Sequence, residues 1–170
     1  MSQQKPVIST AFSYETFEET LDIKPKGAKL HIGIPKEVAF QENRVALTPD
    51  AVSVLVNNGH QVTIEHNAGE AAHFGDRDYS EAGARIVYQR EDVFKAPILV
   101  KSAPVVDEDL PLLQFNQMIV SPIHLSALKA ELLQKMMEKR ITAISFENLK
   151  DDSGTYPIVR SMSENVGSAS

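Results

Sequence analysis

The chain of 170 residues has no cysteine, which excludes disulfides, thiolate zinc sites and cysteine nucleophiles together and fits a reducing, cytoplasmic setting. Positive charge is short as well: 17 Lys and Arg stand against 23 Asp and Glu, for a net charge of −6. A generic binder of nucleic acid is thereby disfavoured, and any anion has to be held by a local arrangement. No apolar run approaches the roughly 18 residues of a membrane helix, so no membrane partner is expected. The opening Met1-Ser-Gln-Gln-Lys5 lacks the apolar centre of a secretory signal. Glycine is sparse too. The eight glycines, at 27, 33, 59, 69, 75, 83, 154 and 167, include no pair two apart and no pair five apart. Neither a Gly-x-Gly-x-x-Gly dinucleotide turn nor a P-loop can therefore be written, and no Gly-x-Ser-x-Gly elbow exists. Histidines 31, 60, 66 and 73 lack the i, i+4 spacing of a helical metal pair and have no acidic cluster around them, so no metal is expected.

What is present is a regular alternation. Residues 1–28 are polar and end in Lys24-Pro25-Lys26-Gly27, which reads as an appended arm. From there the pattern predicts strands at 29–34, 61–66, 85–88, 97–100, 117–120 and 141–146, each a short β-branched or apolar run. Between the first two, Thr48-Pro49-Asp50 supplies an N-cap, a proline at the first helical position and an acid in the first turn, with Gly59 as the stop. Asp76 is expected to cap a short helix ended by Gly83, and residues 125–139 carry the longest helical pattern. Asp151 to Gly154 reads as a turn, and Ser161-x-x-Glu164 as a capping box opening a last helix. Repeated strand and helix signals predict an α/β chain: a three-layer parallel sheet flanked by helices, flavodoxin- or Rossmann-like but without the dinucleotide fingerprint.

In an open parallel sheet, ligands bind beyond the carboxyl ends of the strands. The residues that follow those ends are Lys36-Glu37 and Glu42-Asn43-Arg44, then Glu65-His66, Lys101-Ser102, His124 and Glu147-Asn148. Two cations and an imidazole on neighbouring loops can clamp a small carboxylate and move a proton. Each also has a plainer reading. Arg44 can pair with Glu42 at the surface, Lys101 can snorkel, His124 can cap backbone groups, and Glu147 can face a helix N-terminus.

The runs Lys29-Leu-His-Ile-Gly-Ile-Pro-Lys-Glu37, Glu42-Asn-Arg-Val-Ala-Leu-Thr-Pro49, Asn58-Gly-His-Gln-Val62 and Ala68-Gly-Glu70 resemble the N-terminal domain shared by alanine dehydrogenases and the alpha subunit of proton-translocating NAD(P) transhydrogenase. The likeness continues through Asp78 to Ala84, Lys101 to Pro104, Ile123-His-Leu125, 141–147 and Met162-Ser-Glu164, covering about residues 29–170. It implies NAD-dependent, reversible oxidative deamination of L-alanine to pyruvate and ammonia. By the same resemblance Arg44 holds the substrate carboxylate, Lys101 is the substrate lysine, His124 is the proton donor and acceptor, and Ser163 touches the cofactor. It further implies a substrate domain over residues 29–158, the start of an interdomain helix over 159–170, NAD held mainly by a domain outside this chain, and a homo-oligomer at full length.

The chain departs from that pattern in places. Lys101-Ser-Ala-Pro104 is one residue shorter than the family's Lys-Val-Lys-Glu-Pro and has a single lysine. The glycine fingerprint and the returning helices of the substrate domain are not in these 170 residues, so the chain is expected to be a fragment, inactive alone because nothing positions the nicotinamide. Two alternatives remain: a transhydrogenase alpha subunit, against which His124 stands, and a non-catalytic truncated module.

Overall fold

The computed structural model describes residues 27–39, 41–124 and 129–161. Six strands form one sheet: β1 (His31–Ile34), β2 (Gln61–Glu65), β3 (Arg85–Val87), β4 (Ile98–Val100), β5 (Met118–Ser121) and β6 (Thr142–Ser145). All five pairings are parallel, and the order is β3-β2-β1-β4-β5-β6. This is the Rossmann order, in which the chain builds outward one way from β1 and then the other way from β4.

Two helix layers cover the sheet, as the alternating pattern requires. On one face α1 (Pro49–Asn57) and α2 (Asp76–Glu81) bury Val52 and Tyr79 against Ile32, Ile34, Val62 and Ile64. On the other face α3 (Arg90–Val93) and α4 (Ala130–Glu138) bury Val93, Leu132 and Met136 against Val87, Leu99 and Ile119. The period of two along β1 sends Ile32 and Ile34 to the first face and Gly33 to the second. There a Cβ on Gly33 would lie 2.6 Å from the Val93 carbonyl oxygen and 2.9 Å from the Ala96 Cβ. The end of α3 thus rests directly on the central strand, which only glycine permits.

Local signals place most ends. Thr48 Oγ1 accepts from the Ala51 amide at 3.4 Å and Pro49 is the first helical residue of α1. The Asp151 turn closes through the Gly154 amide, 2.9 Å from the Asp151 carbonyl, with Gly154 at φ +81°. Three expectations are corrected. Gly75, not Asp76, is the N-cap of α2, because Asp78 reaches back to accept from the Gly75 amide at 2.7 Å and fixes the start one residue earlier. The helix expected from residue 125 begins at Ala130, after an extended Lys129, and residues 125–128 lie outside the described residues. Ser161 does not open a helix: residues 157–161 are already helical, since Pro157 is pre-organised for a first helical position. α3 was not foreseen, one turn being too short for a periodic signal. The arm of residues 1–28, apart from residues 27 and 28, lies outside the described residues, as do Ser163 and Glu164.

Candidate active site

Because β1 and β4 are neighbours whose connections depart in opposite directions, a crevice opens above their carboxyl ends. A cavity of about 420 Å³ occupies it. Arg44, Ala46 and Leu47 line it from the β1–α1 connection, Val100, Lys101 and Ser102 from the end of β4, and Val120, Phe146 and Ile158 from the far side. Two of the expected site residues, Arg44 and Lys101, are thus brought to one cavity.

Arg44 makes the surface pair with Glu42. Its Nε donates to Glu42 Oε1 at 2.8 Å, its Nη2 to Oε2 at 2.6 Å, and its own amide to Oε1 at 2.9 Å. The paired guanidinium holds the Glu42 carboxyl below its ordinary value, and Glu42 raises Arg44 in return. The Arg44 side chain stays 56% exposed while that of Glu42 is 11% exposed. The Arg44 carbonyl accepts from Ser102 Oγ at 3.0 Å, which ties the arginine's backbone to the end of β4.

Lys101 does not snorkel. Its side chain is 1% exposed, with Nζ 2.9 Å from Glu37 Oε2 and 3.0 Å from Asp109 Oδ2. The other oxygens of the two carboxylates are also used. Glu37 Oε1 accepts from the Ser102 and Ala103 amides at 2.7 and 3.2 Å, and Asp109 Oδ1 accepts from Arg90 Nη2 at 2.6 Å. Arg90 also donates to Glu65 Oε2 at 2.9 Å and to the Lys36 carbonyl at 2.7 Å. Five charged groups therefore fasten together the loops after β1, β2, β3 and β4. The reason for burial is this double anchorage: an ammonium with two carboxylates in contact is cheaper to bury than one alone. Glu37 and Glu65 were visible in the sequence as residues following strand ends. Arg90 and Asp109 were missed; Arg90 carried the same signal after β3, whereas Asp109 lies in a loop with none.

His124 follows β5 at φ +43°, a left-handed conformation uncommon for non-glycine residues, though His adopts it more readily than most. Its Nδ1 is 3.2 Å from Glu147 Oε1, and the ring is 54% exposed. It borders a second cavity of about 250 Å³, with Pro104, Val105, Asp107, Lys129 and Leu132, rather than the one shared by Arg44 and Lys101. The two cavities lie beside the same strand ends: Val120 and Phe146 line the first, His124 and its partner Glu147 follow them. Three of the other four histidines are engaged structurally. His31 Nε2 meets Thr63 Oγ1 at 2.9 Å, His60 Nδ1 accepts from the Leu30 amide at 3.3 Å, and His66 pairs with Asp76. Among the described residues no three His, Asp or Glu side chains converge as a metal site, and no helix is long and apolar enough to cross a membrane.

Comparison with known proteins agrees with this architecture. Residues 33–166 match the family model described as alanine dehydrogenase/PNT, N-terminal domain. An alanine dehydrogenase of Staphylococcus epidermidis is 33% identical over 138 residues, 81% of this chain and 37% of the relative. One of Staphylococcus saprophyticus is 35% identical over 136 residues, 80% of this chain and 36% of the relative. Among solved structures an L-alanine dehydrogenase superposes with a TM-score of 0.73 at 36% identity, covering 76% of this chain and 36% of that one. A transhydrogenase from Sinorhizobium meliloti shares the fold with a TM-score of 0.66 at 22% identity, covering 72% of this chain and 35% of that one. The chain spans little more than a third of the length of these relatives.

Proposed function

The chain belongs to the alanine dehydrogenase/PNT N-terminal domain family, and from that premise we propose that it is the substrate half of an alanine dehydrogenase, converting L-alanine reversibly to pyruvate and ammonia. The observation that carries this reading is the cavity at the β1/β4 switch point, lined by the exposed Arg44 guanidinium and by Lys101, whose Nζ is buried against Glu37 and Asp109. A guanidinium suits a small carboxylate, which it binds in bidentate fashion. In this reading Arg44 takes the carboxylate, and Lys101, engaged by Glu37 and Asp109, fixes the end of β4 that faces it. His124 passes the proton, its ring held by Glu147 3.2 Å from Nδ1, from the neighbouring cavity beside the same strand ends.

NAD is the hydride acceptor in this proposal, but the described residues do not fit it. The β1–α1 connection, residues 35–48, has no glycine, and its rim carries Glu37, Glu42 and the neighbouring Glu65 where the Rossmann order would seat a pyrophosphate. We assign NAD chiefly to protein beyond this chain, with Ser163 as a contact. The same reading carries a cytoplasmic location and self-association at full length.

Pyruvate added to the chain, followed by amide NMR, tests the assignment. The expected result is saturable shifts at Ala46, Ser102 and their neighbours, lost in Arg44→Ala and not produced by acetone, which lacks the carboxylate. Shifts that survive in Arg44→Ala, or none at all, would refute it.

A further inference from the structure

A guanidinium has two edges that can each meet a carboxylate: the Nε–Nη2 edge and the Nη1–Nη2 edge. In Arg44 the first is fully taken by Glu42, at 2.8 and 2.6 Å. Glu42 Oε1 accepts from the Arg44 amide as well, so one carboxylate makes three bonds to one residue and is itself mostly buried. Nη1 makes no hydrogen bond among the described residues. We propose that Glu42 is a positioning residue: it fixes the guanidinium plane and leaves the Nη1–Nη2 edge to receive the carboxylate of a small 2-oxo or 2-amino acid.

The inference rests on Arg44 being the carboxylate ligand and adds how that ligand is made ready. An unanchored arginine has to give up several rotamers on binding; this one has given them up in the folded chain. Ser102 Oγ on the Arg44 carbonyl, at 3.0 Å, fixes the other end of the residue, so both backbone and head group are set before a ligand arrives. A charge argument runs the opposite way, since Glu42 neutralises Arg44 and would compete with an incoming anion. The geometry decides between them: a competitor would occupy the edge the ligand uses, whereas Glu42 occupies the other.

The test compares wild type, R44A, E42A and E42Q for pyruvate affinity by NMR titration. The Arg44 Nε–H signal is followed as a direct report on the anchor, and urea midpoints show that each variant is folded. E42A is expected to weaken pyruvate about tenfold, the loss that accompanies one charge-assisted hydrogen bond, and to broaden the Nε–H signal while the urea midpoint holds. E42Q keeps Oε1 as an acceptor for the Arg44 amide and Nε but turns an amide donor toward Nη2, and is expected to lie between E42A and wild type, with the Nε–H signal sharper than in E42A. Equal or tighter binding in E42A would overturn the proposal and make Glu42 a competitor. Equal weakening in E42A and E42Q with an Arg44 Nε–H signal as sharp as in wild type would overturn it in favour of charge alone. Unchanged affinity in R44A would instead remove the carboxylate reading on which the inference stands, a result distinct from the other two.

Discussion

Replacing Lys101 by methionine is the sharpest probe of the rim. The substitution keeps most of the apolar stem and removes the ammonium with its charge and donors, leaving Glu37 and Asp109, 5% and 0% exposed, without the Nζ that sits 2.9 and 3.0 Å from them. Breaking a buried ion pair from one side costs about 3–5 kcal/mol, because the surviving charge is left uncompensated. Here the lower end applies. Glu37 still accepts from the Ser102 and Ala103 amides, and Asp109 still accepts from Arg90 and from the Val106 amide at 3.2 Å. A loss of about 3 kcal/mol corresponds to a drop in Tm on the order of 10 °C for a domain of this size. Urea unfolding followed by circular dichroism measures it at neutral pH. The double variant K101M/D109N should regain part of the loss, since the second change removes one of the stranded charges, with a coupling of at least about 1 kcal/mol between the two sites. A single K101M variant within about 1 kcal/mol of wild type would refute the view that this network, rather than the hydrophobic layers alone, fastens the loops.

The other consequences concern the core. Gly33→Ala should destabilise by roughly 2–3 kcal/mol, because the new Cβ meets a backbone oxygen that cannot rotate away; a urea midpoint equal to wild type would contradict the packing of α3 on β1. Burial, with the Asp78 charge adding to it, pushes the Tyr79 phenol from 10.0 up to about 12. The folded chain therefore keeps a proton that the unfolded chain releases, so this contribution is complete below pH 10 and is lost as pH rises toward 12. Tyr79→Phe should remove that part of the alkaline fall and, at neutral pH, cost about 1 kcal/mol for the bond to the Leu47 carbonyl. Parallel pH profiles for the two proteins would count against it.

The sequence by itself determined the class of fold. Short β-branched runs alternating with capped helices, joined by connections too long for hairpins, leave few options other than a parallel sheet between helix layers. Thr48-Pro49 and Gly59 mark the two ends of one helix because capping is chemistry within a few residues. The same locality made Arg44, Lys101, His124 and Glu147 legible as residues following strand ends, and made the pairing of Arg44 with Glu42 readable two positions away. Sequence signals missed α3 and misplaced edges of elements, at Asp76, where Asp78 caps Gly75, at residue 125, and at Ser161, where Pro157 starts the helix earlier.

What the tertiary structure alone decided is which of those loops meet. The order of strands, not their presence, puts β4 beside β1 and so sets Lys101 across one cavity from Arg44 while His124 borders the next. Burial of Lys101 depends on Asp109 and Arg90, residues 8 and 11 positions away along the chain, one in a loop and one at the start of α3, and no periodicity encodes that meeting. An ion pair is a matter of distance in space and of the dielectric around it. Both follow from how the layers pack, and neither is written in the spacing of the residues that form it.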